Sequence, residues 1–336
     1  MSRSGLAIAL AILALSAALA GCGGSSPDTI VLYNGQHPQL TTALVDAFTK
    51  QTGIHVSVRT GDGIILADQI LQEGSASPAD VYLTENSPEL MNLEGHHLLT
   101  ALPGSIIDQI PTRDESPAGD WVGVALRISS LAYDPVRVSR SELPASVLAL
   151  AQPQWKGRIA IAPTDSDFPP LVGAIIAADG RAAAVSWLDG LKRNAQTYQD
   201  EEAVVAAVNR GDAAAGIVNQ YYWYRLRLEL GAVATHSRLY YFPHHDVGSI
   251  ENIAGAAVLA SSRHKALAKR FVQFIVTAPG QQILARSYDY EYPARPGIAP
   301  NPELPSLSSI SPATLSVTAL GTDQEAVQLI QQAGLA

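Results

Sequence analysis

Residues 29–58, TIVLYNGQHPQLTTALVDAFTKQTGIHVSV, decide the architecture. Thr29 to Tyr33 is a short apolar run and reads as a buried strand. Leu40, Ala43, Leu44, Ala47 and Phe48 recur at a 3-1-3-1 spacing. That spacing puts them on one face of a helix over 40–50, which Gly53 stops. Ile54 to Val58 alternates as a second strand. Strand, helix and strand in this order predict an α/β fold with a mainly parallel sheet.

Working outward, the same rhythm continues with a helix over 66–73, ended by Gly74, and a strand over 80–84. Trp121 to Tyr133 holds two apolar runs around Arg127 and reads as extended chain passing from one lobe to another. The rhythm then restarts, with strands over 158–162 and 214–219 and helices over 182–193, 201–210 and 221–230. Tyr240 to Ala260, with His244-His245-Asp246 inside it, reads as the return crossing, the histidines serving hydrogen bonding at the hinge. Helices are expected over 265–276, 280–285 and 323–332, with the Pro-rich stretch 293–312 as loop and Phe168-Pro169-Pro170 as loop packing. No internal repeat is visible. Two α/β lobes joined by two crossings imply a cleft and hinge closure. The expected division is 29–125 plus 250–290 for one lobe and 126–249 plus 291–336 for the other.

The chain has 336 residues, 22 Lys and Arg against 31 Asp and Glu, and a net charge of -9, which disfavours a nucleic-acid binder. Its single cysteine excludes a disulfide framework, a Cys-rich zinc site and an iron–sulfur cluster built by this chain alone. That cysteine ends a distinctive leader. Arg3 is followed by the apolar run Leu6 to Ala20, too short for a confident membrane span, which needs about 20 residues. Leu19-Ala20-Gly21-Cys22 then precedes a Gly/Ser stretch. This resembles the lipobox of bacterial lipoproteins. The resemblance implies a signal peptide over 1–21, lipidation of Cys22, a tether over 22–28 and a chain anchored on the outer side of the cytoplasmic membrane.

No GxxxxGK[ST], GxSxG or HExxH motif is present, so nothing points to an enzyme. Four residues stand just past predicted strands, where α/β folds gather ligands: His37, Glu85, Tyr221 and Tyr222. Taken singly each has an ordinary reading, as a surface histidine, a helix-entry glutamate with Asn86 or Ser87 as cap, or packing tyrosines. Adjacent residues point about 100° apart inside a helix, but at a helix N-terminus both phenols can converge on one ion. Together the four present three hard oxygens and one imidazole nitrogen, a set suited to a small, highly charged cation. Phenol ordinarily titrates near 10, so phenolate at neutral pH needs a strong Lewis acid, and Fe(III) is the natural candidate.

The chain resembles the bacterial periplasmic ferric-ion-binding proteins, the substrate-binding components of ABC-type iron importers. The matching stretches are TIVLYNGQH (29–37), EGSASPADVYLTENSP (73–88), WKGRIAIAPT (155–164), IVNQYYW (217–223), AGAAVL (254–259) and EYP (291–293). The resemblance implies a two-lobed, type II periplasmic binding protein with transferrin-like lobes and Fe(III) between them. It places His37 and Glu85 as ligands on the first lobe and Tyr221 and Tyr222 on the second. It also implies a bound synergistic anion, an ABC-type permease as partner and a monomer.

The anion side departs from the family pattern. Thr164-Asp165-Ser166-Asp167 stands where phosphate-using members have a small Ser-Gly-Ala-like turn, and Glu201 falls where a family Asn is expected. Carboxylates there repel phosphate, which a backbone-amide turn would attract. Carbonate is therefore expected over phosphate, with Arg127 as its anchor and Asn86, Ser166 and Asn219 as further anion-side contacts. Asp165, Asp167 and Glu201 are either turn residues or direct contacts to the metal or to an organic ligand. The alternative within transport is a receptor for a small organic cation, thiamine-like or a polyamine, held by these acids and stacked on the tyrosines. A cell-envelope metalloenzyme would need an open coordination site and turnover. His96-His97 reads as surface loop, and His55, His236 and His264 have no constellation around them.

Overall fold

The computed structural model describes residues 28–336; the expected leader and Cys22 lie outside the described residues. The chain begins with β1 (Thr29–Gly35), α1 (Pro38–Thr52), β2 (His55–Thr60), α2 (Gly63–Glu73), β3 (Val81–Thr84), α3 (Ser87–Gly95), the short α4 (Gly104–Ile107) and the long β4 (Trp121–Tyr133). It continues with β5 (Ile159–Ile161), α5 (Phe168–Asp179), α6 (Arg181–Asn194), β6 (Ala195–Thr197), α7 (Glu201–Arg210), β7 (Ala215–Asn219), α8 (Gln220–Leu230) and β8 (Arg238–Tyr240). The last third holds β9 (Glu251–Val258), α9 (Lys265–Val276), α10 (Ala278–Ala285), β10 (Tyr292–Pro293), α11 (Leu307–Ile310), α12 (Val317–Leu320) and α13 (Gln324–Gln332).

The apolar stripe on α1 does what its spacing predicts. Leu40, Leu44 and Phe48 are buried, and Phe48 meets Phe271 of α9 edge-on at 5.0 Å. Pro38 opens the helix where its missing N–H costs nothing, and Gly53 closes it in the left-handed conformation at φ 74°, donating its N–H to Thr49. On either side, β1 pairs in parallel with β2 and β3. In the other half β5 pairs in parallel with β6 and β7.

One strand joins the halves. All residues of β4 are buried; Trp121–Ile128 pair antiparallel with β9, and Ser129–Tyr133 pair antiparallel with β7. The strand order is therefore β2-β1-β3-β9-β4-β7-β5-β6, with β8 and β10 also on β4. This is the expected crossing, and Arg127 sits where the two pairings meet. In the return segment His244 and His245 take left-handed φ values of 62° and 56°. Asp246 accepts from the backbone N–H of Val147 and of Gly248, both at 2.9 Å, and His245 Nδ1 lies 3.1 Å from the Pro312 carbonyl. Asp246 and His245 thus make ordering hydrogen bonds in this segment.

Two local expectations change. Phe168-Pro169-Pro170 is the first turn of α5, not loop, because prolines are tolerated where helix N–H groups have no partner. Phe168 stacks on Trp187 at 5.9 Å, and the Trp187 indole donates to the Val147 carbonyl. Within 291–312, β10 pairs with Leu126 and Ala125 of β4, and Tyr292, Ala294, Leu304 and Ile310 join the buried cluster that contains β1, β3 and β9. Ala313, Leu315 and residues from Leu320 onward pack with the second cluster, beside Trp155, Trp187 and Phe242, while Val317 joins the first. The C-terminal segment thus touches both halves.

Candidate metal centre

His37 is placed by the loop that precedes it. Asn34, fully buried at the end of β1, donates to the Gln36 carbonyl at 2.7 Å and accepts from Thr41 Oγ1 at 2.8 Å. This Asx-type turn folds the chain back on itself. Gln36 then accepts from the His37 N–H at 2.7 Å and donates its amide to Glu291 at 3.2 Å. His37 becomes the residue before α1, with Pro38 fixing the helix start and the imidazole free to leave the helix axis.

Glu85 follows β3, and Asn86 precedes α3. Asn86 was one of two possible caps for that helix, with Ser87, but its side chain makes no capping bond. Its Oδ1 accepts from Arg127 and Asn252, and its Nδ2 donates to the Ser166 carbonyl at 3.2 Å, so it ties three distant segments together. Tyr221 and Tyr222 lie in the first turn of α8. Gln220 pins that turn to β4 by accepting from the Ile128 N–H at 2.6 Å and donating to Tyr290 at 3.0 Å.

The four residues come from both halves and meet. His37 Nδ1 is 3.2 Å from Glu85 Oε1, and the His37 and Tyr221 rings pack edge-on at 4.9 Å. The Tyr221 and Tyr222 ring centres are 4.1 Å apart. The Tyr221 hydroxyl lies 3.3 Å from Glu85 Oε2 and donates to Asp167 Oδ2 at 2.8 Å. His37 Nε2 is buried with no hydrogen-bond partner. An orphaned imidazole nitrogen in a buried polar site is unusual and fits a metal ligand. The cluster opens on a cavity of about 310 Å³ bordered by His37, Glu85, Glu202, Tyr222 and Arg225. Among the described residues no group of three or more His, Cys, Asp or Glu is placed to hold a metal, so a centre here depends on the phenols.

Electrostatics follow from burial. Desolvation holds His37 well below its usual range, so the imidazole is neutral and able to ligate. Desolvation, with the neighbouring Asp167 carboxylate, pushes Glu85 and both phenols well above theirs. Asp165 is pushed up to about 7 by burial and by Asp167. Burial thus favours the protonated forms of Glu85, Tyr221 and Tyr222.

The anion-side expectations divide. Arg127 stands within a buried polar network rather than on an open surface. It is fully buried, its Nη2 donates to Asn86 Oδ1 and to Asp167 Oδ1, the latter at 3.0 Å, and its Nη1 lies 3.6 Å from Glu291. A buried guanidinium demands such partners, and the chain supplies hydrogen bonds at Nη2 alone, leaving Nε and Nη1 buried without one. Asp165 accepts from the Asp167 N–H at 3.1 Å and the Glu201 N–H at 3.0 Å, and Glu201 accepts from the Asn219 N–H. Those two acids order backbone. Ser166 takes part through its carbonyl, and both amide atoms of fully buried Asn219 lack partners. Reading the chain as a sequence missed Gln36, Asn252, Glu291 and the Arg225–Glu202 pair at 2.6 Å, whose guanidinium also lies over the Tyr222 ring at 5.8 Å. Gln36 and Glu291 sat inside quoted stretches, but their types alone signal no chemistry.

The sequence profile of the bacterial extracellular solute-binding proteins matches residues 30–288. The chain is 38% identical to the Fe(3+)-binding periplasmic protein of Serratia marcescens, over 97% of each chain. It is 38% identical to the major ferric iron-binding protein of Neisseria meningitidis serogroup B, over 96% of this chain and 97% of that one. Among solved structures it is similar to iron-bound HitA from Pseudomonas aeruginosa, with a TM-score of 0.88 and 38% identity, covering 92% of this chain and all of that one. The halves joined by β4 are accordingly the two lobes of the periplasmic binding protein fold. This chain belongs to the bacterial extracellular solute-binding proteins, in the family of periplasmic ferric-ion-binding proteins.

Proposed function

We propose that the protein is an extracytoplasmic receptor that binds Fe(III) in its cleft and delivers it to an ABC-type permease in the cytoplasmic membrane. The observation that carries this reading is the meeting of two adjacent phenols, one carboxylate and an unpartnered imidazole nitrogen between the halves. His37 Nε2, Glu85, Tyr221 and Tyr222 are the proposed protein ligands. The relatives described as ferric-binding support the choice of ion over the organic-cation alternative. Carboxylates crowd Arg127, and among the described residues no small backbone-amide turn of the phosphate-using kind stands beside it, so carbonate is kept as the proposed anion.

In this reading, residues 29–125 with 250–290 move against 126–249 about the crossings. The pairing of β10 with β4 supports placing 291–310 with the first lobe, and the packing of Leu320, Ala326, Leu329 and Ile330 supports placing the last helix with the second. Cys22 carries the lipid, and a monomer suffices because both half-sites come from one chain. Closure buries the ion and gives the permease a shape that the open form lacks.

Metal analysis and a visible spectrum of the purified protein, followed by competition with citrate, test the proposal. The expected result is bound iron with a phenolate-to-iron charge-transfer band that citrate removes only in excess. A colourless protein that takes up no iron, and whose melting temperature moves with a polyamine or a thiamine-like cation, would overturn it.

A further inference from the structure

Two buried glutamines stand directly before the proposed ligands: Gln36 before His37, and Gln220 before Tyr221 and Tyr222. Each spends the two ends of its amide on different partners. Gln36 Oε1 accepts from the His37 N–H at 2.7 Å, and its Nε2 donates to Glu291 at 3.2 Å. Gln220 Oε1 accepts from the Ile128 N–H at 2.6 Å, and its Nε2 donates to the Tyr290 carbonyl at 3.0 Å. A backbone N–H needs an oxygen and a carbonyl needs an N–H, so neither amide can be turned end for end.

The far ends of the two amides converge on adjacent residues. Tyr290 takes φ 51°, in the left-handed region where a bulky side chain is rare. Such strain persists only where the surroundings over-determine it. Here the Tyr290 ring stacks on Tyr224 of α8 at 5.4 Å, and Tyr292 pairs with Leu126 of β4. The turn aims the Tyr290 carbonyl at the second half and leaves the Glu291 carboxylate facing the first. Arg127 Nη1 lies 3.6 Å from Glu291 without a hydrogen bond, so it adds charge beside that carboxylate but does not compete with Gln36. A single residue step thus separates the anchor of the His37 loop from the anchor of the Tyr221-Tyr222 turn.

We propose that Tyr290-Glu291 is a coupling bar between the two half-sites. It holds Gln36 and Gln220 in one register, so that the His37 imidazole and the two phenols reach the same ion together. Gln36 and Gln220 are positioning residues that act through the ligands they precede. This rests on the Fe(III) reading above.

A double-mutant cycle on the full chain tests the coupling, with Gln36→Met and Gln220→Met as unbranched replacements that lack the amide. Iron affinity is read by citrate competition, and folding by circular dichroism. Each single variant weakens iron binding by about 10–100-fold, as loss of a supporting partner at a metal site does. The double variant loses about as much as the weaker-binding single one, because one cut already frees the half-sites from each other. Losses that multiply would overturn the proposal, as would folded single variants that bind iron like wild type. Tyr290→Asn and Tyr290→Val serve if a glutamine variant does not fold. Both remove the ring, but asparagine is at home at positive φ and a β-branched residue is not. The asparagine variant therefore binds iron more tightly than the valine variant, and equal affinities would overturn the proposal. A wild-type protein that gives no charge-transfer band under any condition would overturn the Fe(III) reading itself, before any variant is compared.

Discussion

Tyr221 donates to Asp167 and lies beside Glu85 in a site where burial first, and those carboxylates second, hold its phenol well above the usual range. Tyr222 is shifted the same way, again chiefly by burial. Both phenols are therefore protonated in the unloaded protein, and under the proposed ligation iron binding expels their protons. Acid restores the competitor, so affinity falls as pH falls. Two displaced protons predict about a 100-fold change in apparent iron affinity per pH unit, and one predicts about tenfold. Citrate competition repeated between pH 6 and 8 reads this slope, and a flat profile would mean that the phenols are not ligands. At this scale the sequence was legible wherever a residue type carries chemistry by itself. A histidine, a glutamate and a tyrosine pair just past strands suggested a shared site, and the structure brings the four together. Asp167 was ambiguous because Thr164-Asp165-Ser166-Asp167 reads equally as a solvated turn. Glu291 and Gln36 stayed silent because supporting roles depend on contacts 255 residues apart in sequence.

Elements with strong periodicity, such as α1, were readable because one buried stripe accounts for their pattern. Strand β6 and the short helices α4, α11 and α12 were not, since three or four residues span too little of a period. Helix α5 was hidden by its two prolines, which signal a loop until the first-turn exception is considered. Close packing between elements also leaves no trace in hydropathy. Gly190 in α6 is such a case: a Cβ there would stand 2.3 Å from Ala151 Cβ and 2.7 Å from the Ala151 carbonyl oxygen. Backbone on the far side cannot yield as a flexible side chain would. Gly190→Ala should destabilise the protein by about 1–3 kcal/mol through overpacking. The site lies elsewhere, so the folded fraction should bind iron as wild type does. Denaturant unfolding with and without iron measures both, and an unchanged midpoint would show that the helix can shift at little cost.

The whole molecule turns on β4, which belongs to both pairings and carries Arg127 at their junction. The guanidinium touches Asn86 and Glu291 from segments packed on the first half and Asp167 at the start of α5 on the second. Removing one partner of a buried charged group leaves the others uncompensated. Arg127→Met is therefore expected to lose about 3–5 kcal/mol of stability. Calorimetry on the unloaded protein checks this, and a loss confined to iron affinity would place Arg127 outside the structural frame. The two lobes and their crossings could be anticipated from strand and helix order. The path of 291–310 could not, because a Pro-rich stretch without periodicity does not reveal which core it covers. What unites the halves in this account is one ion held by phenols from one side and by imidazole and carboxylate from the other. The most direct test is a ferric titration of the Tyr221→Phe, Tyr222→Phe double variant, followed by visible absorption. The account predicts that the charge-transfer band disappears and most of the affinity goes with it, while the fold, read by circular dichroism, persists. A double variant that titrates with iron as the wild-type protein does, band included, would contradict it.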